Sequence, residues 1–144
     1  AKNAFTKTNI SSVGDDSGLI VPAIDNEPGL YSARYAGLNA TDTDNRNKLI
    51  SKLKDKKLES TYAYFFCCIV AVGIKGQNEI IVCDGKVEGE VRTIERGEKG
   101  FGYDPMFYPK GYSESFAELN SLEKNKISHR GQALKKLMDK LNKT

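Results

Sequence analysis

No apolar run in this 144-residue chain approaches the ~20 residues that a bilayer-spanning helix requires; the longest, Phe65–Val72, is strand-sized. A basic-then-apolar leader is missing from the first residues as well, so the expected compartment is the cytoplasm, with no membrane partner. Cysteine is scarce. Cys67, Cys68 and Cys83 are an odd number without zinc-ligand spacing. Adjacent residues of a strand face opposite ways, so Cys67 and Cys68 cannot converge on one metal. The chain's single histidine lies far from these thiols in sequence, which argues against a catalytic thiol–imidazole pair. Also missing are the Gly-x-x-x-x-Gly-Lys-Ser/Thr phosphate loop, a Gly-x-Gly-x-x-Gly turn after a strand and a Gly-x-Ser-x-Gly elbow, so P-loop, Rossmann and hydrolase-elbow chemistry have no support. A net charge of +3 is too small to argue for a nucleic-acid partner.

What is present reads as one globular domain in which strands and helices alternate. Leu19–Val21 is a short apolar strand leaving an acidic turn, and Pro28–Gly29 forces a loop. Thr41 or Thr43 caps a helix with Asp42 and Asp44 in its first turn, where the helix dipole favours negative charge. That helix is expected to run to about Leu58 with Leu49, Ile50 and Leu53 inward. Thr61–Val72, rich in Tyr, Phe, Ile and Val, reads as a central strand. Lys75–Asn78 is a turn leading into a strand at Glu79–Cys83. Asp84–Gly85 and Glu88–Gly89 are expected to interrupt that strand before it resumes at Val91–Ile94. Gly97–Pro109 reads as a long loop. Ser128 caps a last helix with an apolar stripe of Ala133, Leu134, Leu137, Met138 and Leu141. The order of elements is that of an α/β or α+β protein with a mixed or antiparallel sheet.

Three constellations could carry chemistry. Asp15-Asp16-Ser17-Gly18 sets two carboxylates at a glycine-bounded turn, where oxygen ligands could hold a hard cation or orient a water. A solvated acidic turn is the plain alternative. In Gly100-Phe101-Gly102-Tyr103-Asp104-Pro105, the glycines let backbone approach a flat ligand. Phe101 or Tyr103 offers a stacking face, and Asp104 an acceptor for ring N–H groups; an aromatic-anchored loop is the alternative. Glu123-Lys124 with Ser128-His129-Arg130-Gly131 puts donors at a helix N-terminus, a place suited to an anionic or carbonyl-rich ligand. Cations usually prefer the other end of a helix, so Arg130 points to something negative or oxygen-rich nearby.

Taken in order, Asp15-Asp-Ser-Gly-Leu19, Pro28-Gly-Leu-Tyr-Ser-Ala-Arg-Tyr-Ala-Gly37, Gly100-Phe-Gly-Tyr-Asp-Pro105 and Ser128-His-Arg-Gly131 closely resemble the non-canonical purine nucleoside triphosphate pyrophosphatases, the inosine/xanthosine triphosphatase family. Ala117-Glu-Leu119 and Glu123-Lys124 fall between the last two motifs, as they do in that family. The resemblance implies an α/β fold with a mixed, elongated central sheet flanked by helices, in two lobes with the active-site cleft between them. It implies Mg²⁺-dependent hydrolysis of ITP, dITP or XTP to the monophosphate and pyrophosphate by a cytoplasmic homodimer. By the same resemblance Asp16 matches a metal ligand and general base, with Asp15 a second candidate ligand. Ser17, Phe101, Gly102, Tyr103, Asp104, Lys124, His129 and Arg130 match substrate contacts, and Lys7 matches a phosphate ligand.

Complete members of that family begin with a strand and a Thr-Gly-Asn loop followed by a lysine, and carry a further acidic residue before the Asp-Asp-Ser-Gly motif. Residues 1–144 have neither. Asn3-Ala4 and Lys7 resemble the end of a Glu-Asn-Ala-x-x-Lys-Ala helix, with Lys2 at the glutamate position. The stretch from Lys7 to Asp15 is expected to be too short for that helix and the strand after it. The resemblance therefore implies one N-terminally incomplete pyrophosphatase domain. The readings set against an active enzyme are a non-catalytic purine-nucleotide-binding remnant of the family and a plain interaction or nucleic-acid module.

Overall fold

The computed structural model describes residues 1–74 and 79–143. Helix α1 (Lys2–Thr8) leads into β1 (Ser12–Val21), and a 3-10 turn, Pro22–Ile24, brings the chain back as β2 (Glu27–Pro28). A second 3-10 segment, Gly29–Arg34, precedes α2 (Asp42–Asp55). The long strands β3 (Ser60–Val72) and β4 (Ile80–Arg92) follow, then β5 (Phe107–Pro109), α3 (Ser121–Ile127) and α4 (His129–Asn142). The sheet order is β2-β1-β3-β4-β5, and every pairing among the described strands is antiparallel. Helices flank this sheet, as expected for the α/β class.

One face of the sheet is covered. Along β1 and β3 the inward positions are Ser17, Leu19 and Val21, and Ala63, Phe65, Cys67, Ile69 and Ala71, by the two-residue period of a strand. Two buried clusters share this face. Leu49 and Leu53 of α2 close the first over Leu19, Val21, Ala63 and Phe65, with Phe107 and Phe116 beside them. Ala133 and Leu137 of α4 close the second over Cys67, Ile69, Ala71, Ile81 and Cys83. The stripe of α4 is narrower than expected, since Leu134 and Met138 stay largely exposed. Phe65 and Cys67 are consecutive inward residues of β3, so the two clusters meet there.

Several local expectations change. Asp15–Gly18 is not a turn: Asp15 pairs with Ile69 and Asp16 with Cys68 in the middle of β1, because ladder bonds to a long neighbouring strand outweigh local turn propensity. Gly85 and Gly89 do not interrupt β4, which continues to Arg92. A side chain at Gly85 would run into the His129 carbonyl and the Ala133 amide, so glycine there lets α4 lie directly on the strand. The loop from Gly97 ends in β5, and α3 is an additional helix. Between Lys2 and Asp15 the chain forms the short helix α1 and the first residues of β1. Thr41 caps α2 through a reciprocal box with Asp44, and the helix ends at Asp55. The turn expected at Lys75–Asn78 lies outside the described residues.

Candidate functional site

A cavity of about 570 Å³ opens where the two clusters meet. Strand β1 supplies Asp15, Ser17 and Gly18, the 100–104 loop supplies Phe101 to Asp104, and α3 and α4 supply Lys124, Ser128, His129 and Arg130. Three segments widely separated in sequence thus converge on one space. Eight of the expected substrate contacts line it: Ser17, Phe101, Gly102, Tyr103, Asp104, Lys124, His129 and Arg130.

Within the loop, the two aromatics have different jobs. Phe101 is 61% exposed, with the Lys124 ammonium 5.0 Å and the Arg130 guanidinium 5.6 Å from its ring centre. Tyr103 is 4% exposed, and its hydroxyl donates to the Ser32 carbonyl at 2.8 Å, so it anchors the loop and is not free to stack on a ligand. Phe101 alone keeps an open face. Asp104 is buried; one of its oxygens accepts from the Phe101 amide at 2.9 Å and pairs with the Lys124 ammonium. That oxygen organises the loop. Gly100, at φ 79, leaves no room for a side chain beside the same carboxylate.

At α4, Ser128 accepts from the Gly131 amide, capping the helix as expected. His129 does not point outward. Its ring stacks on Phe65, with centroids 4.7 Å apart and planes 10° from parallel. Burial lowers its pKa to about 4, and the positive charges of Arg130 and Lys124 push the same way, so the imidazole is neutral at pH 7. Its Nδ1 is the buried side-chain polar atom left without a hydrogen-bond partner among the described residues. Such an orphan is expensive unless a ligand or water completes it. Arg130 finds its negative partner within the chain: Nε and Nη2 donate to the two oxygens of Asp15 at 2.6 and 3.2 Å. That fork holds the Asp15 carboxyl below the usual carboxylate range and raises the arginine further.

Asp16 faces the other way, into a second cavity of about 620 Å³ on the opposite side of β1 and β3, with Asp25, Glu27, Tyr31, Tyr64, Phe66 and Cys68. Two consecutive strand residues cannot share one ion, so the expectation that Asp15 and Asp16 chelate together fails on geometry. No group of three or more His, Cys, Asp or Glu side chains among the described residues is arranged to hold a metal. Ser17 and Gly18 line both cavities. Lys7 is exposed in the last turn of α1 and belongs to neither cavity. Ser32, Asp42 and Phe65 line the first cavity without having been singled out from sequence. Only Asp42 carried any signal, as a helix first-turn acid.

The Ham1 family model matches residues 1–140. The chain belongs to the Ham1 family. A dITP/XTP pyrophosphatase of Idiomarina loihiensis is 45% identical over 99% of this Ham1 chain, which spans 71% of that relative's length. A dITP/XTP pyrophosphatase of Clostridium perfringens is 49% identical over 90% of the chain and 62% of the relative. Among solved structures, the Ham1 protein of Staphylococcus aureus superposes with a TM-score of 0.88 at 41% identity, covering 97% of this chain and 71% of that one. A HAM1 protein from Coxiella burnetii gives 0.87 at 39%, over 96% of this chain and 70% of that one. No helix among the described residues is long and apolar enough to cross a membrane.

Proposed function

We propose that this Ham1 chain is a nucleoside triphosphate pyrophosphatase that hydrolyses non-canonical purine nucleoside triphosphates (dITP, XTP, ITP) to the monophosphate and pyrophosphate. The observation that carries the reading is the pair of cavities, on opposite faces of β1, that share Ser17 and Gly18. In the first, Lys124 is paired with Asp104 and Arg130 with Asp15. That space suits a flat, uncharged, hydrogen-bonding group better than a polyphosphate. Phe101 offers a stacking face, and the start of α4, which borders the cavity, is where donors for a 6-oxo group would come from. An adenine amino group in that place leaves a donor unpaired, at a cost of roughly 1–3 kcal/mol per lost partner. The orphaned His129 Nδ1 borders the same space.

The triphosphate then runs over Ser17 and Gly18 towards Asp16. The second cavity is acidic, through Asp16, Asp25 and Glu27, and a polyanion enters it only with cations. Glu27 is already engaged by Tyr35 and Lys52. The Asp16 carboxylate makes no hydrogen bond or ion pair among the described residues. This donor set fits Mg²⁺, which is commonly held by one or two carboxylates together with substrate phosphates and waters. When bound, Mg²⁺ offsets phosphate charge and acidifies a coordinated water. Asp16 takes a proton from the attacking water as its oxygen bonds to the α-phosphorus and the bridge to the β-phosphorus breaks, releasing pyrophosphate.

Residues 1–144 act as one pyrophosphatase domain in this reading, and the homodimer and cytoplasmic placement follow the family resemblance. The test is pyrophosphate release from dITP, XTP and dATP at equal Mg²⁺. A preference of about 10²-fold or more for the 6-oxo bases over dATP is expected, and equal rates overturn the reading. Binding of IMP without any turnover of dITP returns the chain to the class of non-catalytic nucleotide binders.

A further inference from the structure

Stacking on Phe101 is useful only if the loop that carries it is held still. The loop has little stiffness of its own, because Gly100 and Gly102 sit at φ 79 and 61 and a glycine-bounded segment is costly to order. Tyr103 and Asp104 hold its far end and the Phe101 amide, and Gly102 itself is restrained from α2. The Gly102 amide donates to Asp42 Oδ2 at 2.7 Å, and Arg46 Nη1 donates to the Gly102 carbonyl at 2.9 Å. Both polar groups of one peptide residue are therefore gripped by two side chains four apart, on the same face of one helix. Arg46 is itself fixed: Nε pairs with Glu95 at 2.9 Å and Nη2 donates to the Thr43 hydroxyl at 3.2 Å. Its side chain is only 14% exposed.

We propose that Asp42 and Arg46 are positioning residues for purine selection, acting through the backbone of Gly102 on the ring of Phe101. The proposal rests on the reading of this cavity as the purine site. Stacking tolerates any base, whereas hydrogen bonds to a base edge depend on where the ring is held. Loosening Gly102 therefore lets the base shift relative to the donors of α4. A 6-oxo purine loses affinity, and adenine, which gains little from those donors, is nearly unaffected. Discrimination falls more than stacking does.

Calorimetric binding of IMP and AMP tests this, together with amide hydrogen exchange across residues 100–104 and α2. Asp42→Ala should weaken IMP roughly tenfold, the loss of one hydrogen bond to a charged acceptor, and change AMP by less than about twofold. Asp42→Asn keeps an acceptor oxygen and should stay within about threefold of wild type for IMP. Arg46→Gln, one turn further along α2, should reproduce the loss while leaving the Thr41–Asp44 capping box in place. The Gly102 amide should exchange faster in Asp42→Ala while the α2 amides keep their protection. In a Phe101→Ala background Asp42→Ala should have no further effect, since it acts through that ring. An additive effect in that background overturns the proposal, as does unchanged IMP affinity alongside faster Gly102 exchange. Unchanged Gly102 exchange overturns the latch itself. A wild-type protein that binds IMP and AMP equally, or tolerates Phe101→Ala, brings down the purine-site reading instead, a different and recognisable result.

Discussion

Asp15 and Asp16 are joined by one peptide bond, yet the pleat of β1 sends them to opposite sides of the sheet and into different electrostatic company. Asp15 lies on the covered face, forked by Arg130 from the start of α4. Asp16 lies on the other face, in a cavity whose further carboxylates are Asp25 and Glu27. Arg130 makes Asp15 an architectural group that fixes one wall of the first cavity. Without such a partner, Asp16 keeps its lone pairs for water or a cation. The difference shows how a strand, unlike a turn, can give two identical neighbouring residues separate roles.

The sharpest way to break this contrast is to neutralise each carboxylate in turn. Asp16→Asn should lower turnover of dITP by about 10²–10⁴-fold, the range for a general base. IMP affinity should hold within about twofold, because the cavity proposed to take the purine lies on the other face. Steady-state kinetics and IMP calorimetry check both halves. Full activity in this variant removes Asp16 from the chemistry and leaves the two-face account without its catalytic side.

A second expected effect concerns the covered face alone. In the folded chain His129 takes a proton only near pH 4, against 6.5 when exposed. The unfolded chain therefore binds more protons between those values, and stability present above about pH 6.5 is lost as pH falls to about 4. The full span corresponds to roughly 3 kcal/mol. Urea unfolding at pH 7, 5.5 and 4 should show this slope, and His129→Phe, which keeps a ring against Phe65, should flatten it. An equal slope in the variant assigns the window to another group.

Gly85 and Lys86 extend the comparison to β4. Gly85→Ala drives a methyl into the His129 carbonyl and the start of α4, and should cost about 1–3 kcal/mol while weakening IMP binding. Lys86, next along the strand and on the open face, pairs with exposed Glu88 and lies 4.3 Å over the Tyr64 ring. Lys86→Ala should cost less than about 0.5 kcal/mol by thermal melting. Similar costs at the two positions would mean that α4 does not rest on Gly85.

Much of this arrangement was legible in the residues, and the exceptions have a common cause. Ser128 as a cap, Thr41 as a cap and the long β3 strand all rest on local chemistry, and all stand. The Phe101 loop and the Ser128–Arg130 corner, singled out on local signals such as glycines, an aromatic and helix-end donors, line one cavity. What could not be read depended on partners distant in sequence. Asp15-Asp16-Ser17-Gly18 has turn composition, and only the pairing with Ile69 to Phe66 makes it strand. Arg130 demanded a negative neighbour, and nothing in the sequence named Asp15, 115 residues away. Gly85 and Gly89 look like strand breakers until α4 and β5 are laid on them. Asp42 passed as a helix-dipole acid because its bond to Gly102 spans 60 residues.

A modest effect is expected for the other half of the opening contrast. The Asp15–Arg130 fork is well formed, but each side chain is about a third exposed or more, so water and salt screen the pair. Asp15→Asn should therefore lower stability at pH 7 by no more than about 1 kcal/mol. The carboxyl is held below its ordinary 3.8, so the stability it adds is complete above that value and disappears as pH falls through the lower folded one. The difference between wild type and Asp15→Asn should accordingly close only below about pH 4 and shrink in molar salt. The His129 slope above pH 4 should persist in both. Acid urea titrations at low and high salt separate the two windows. A loss of several kcal/mol, or one indifferent to salt, would make Asp15 a buried structural charge and remove the contrast with Asp16 from the energetic side.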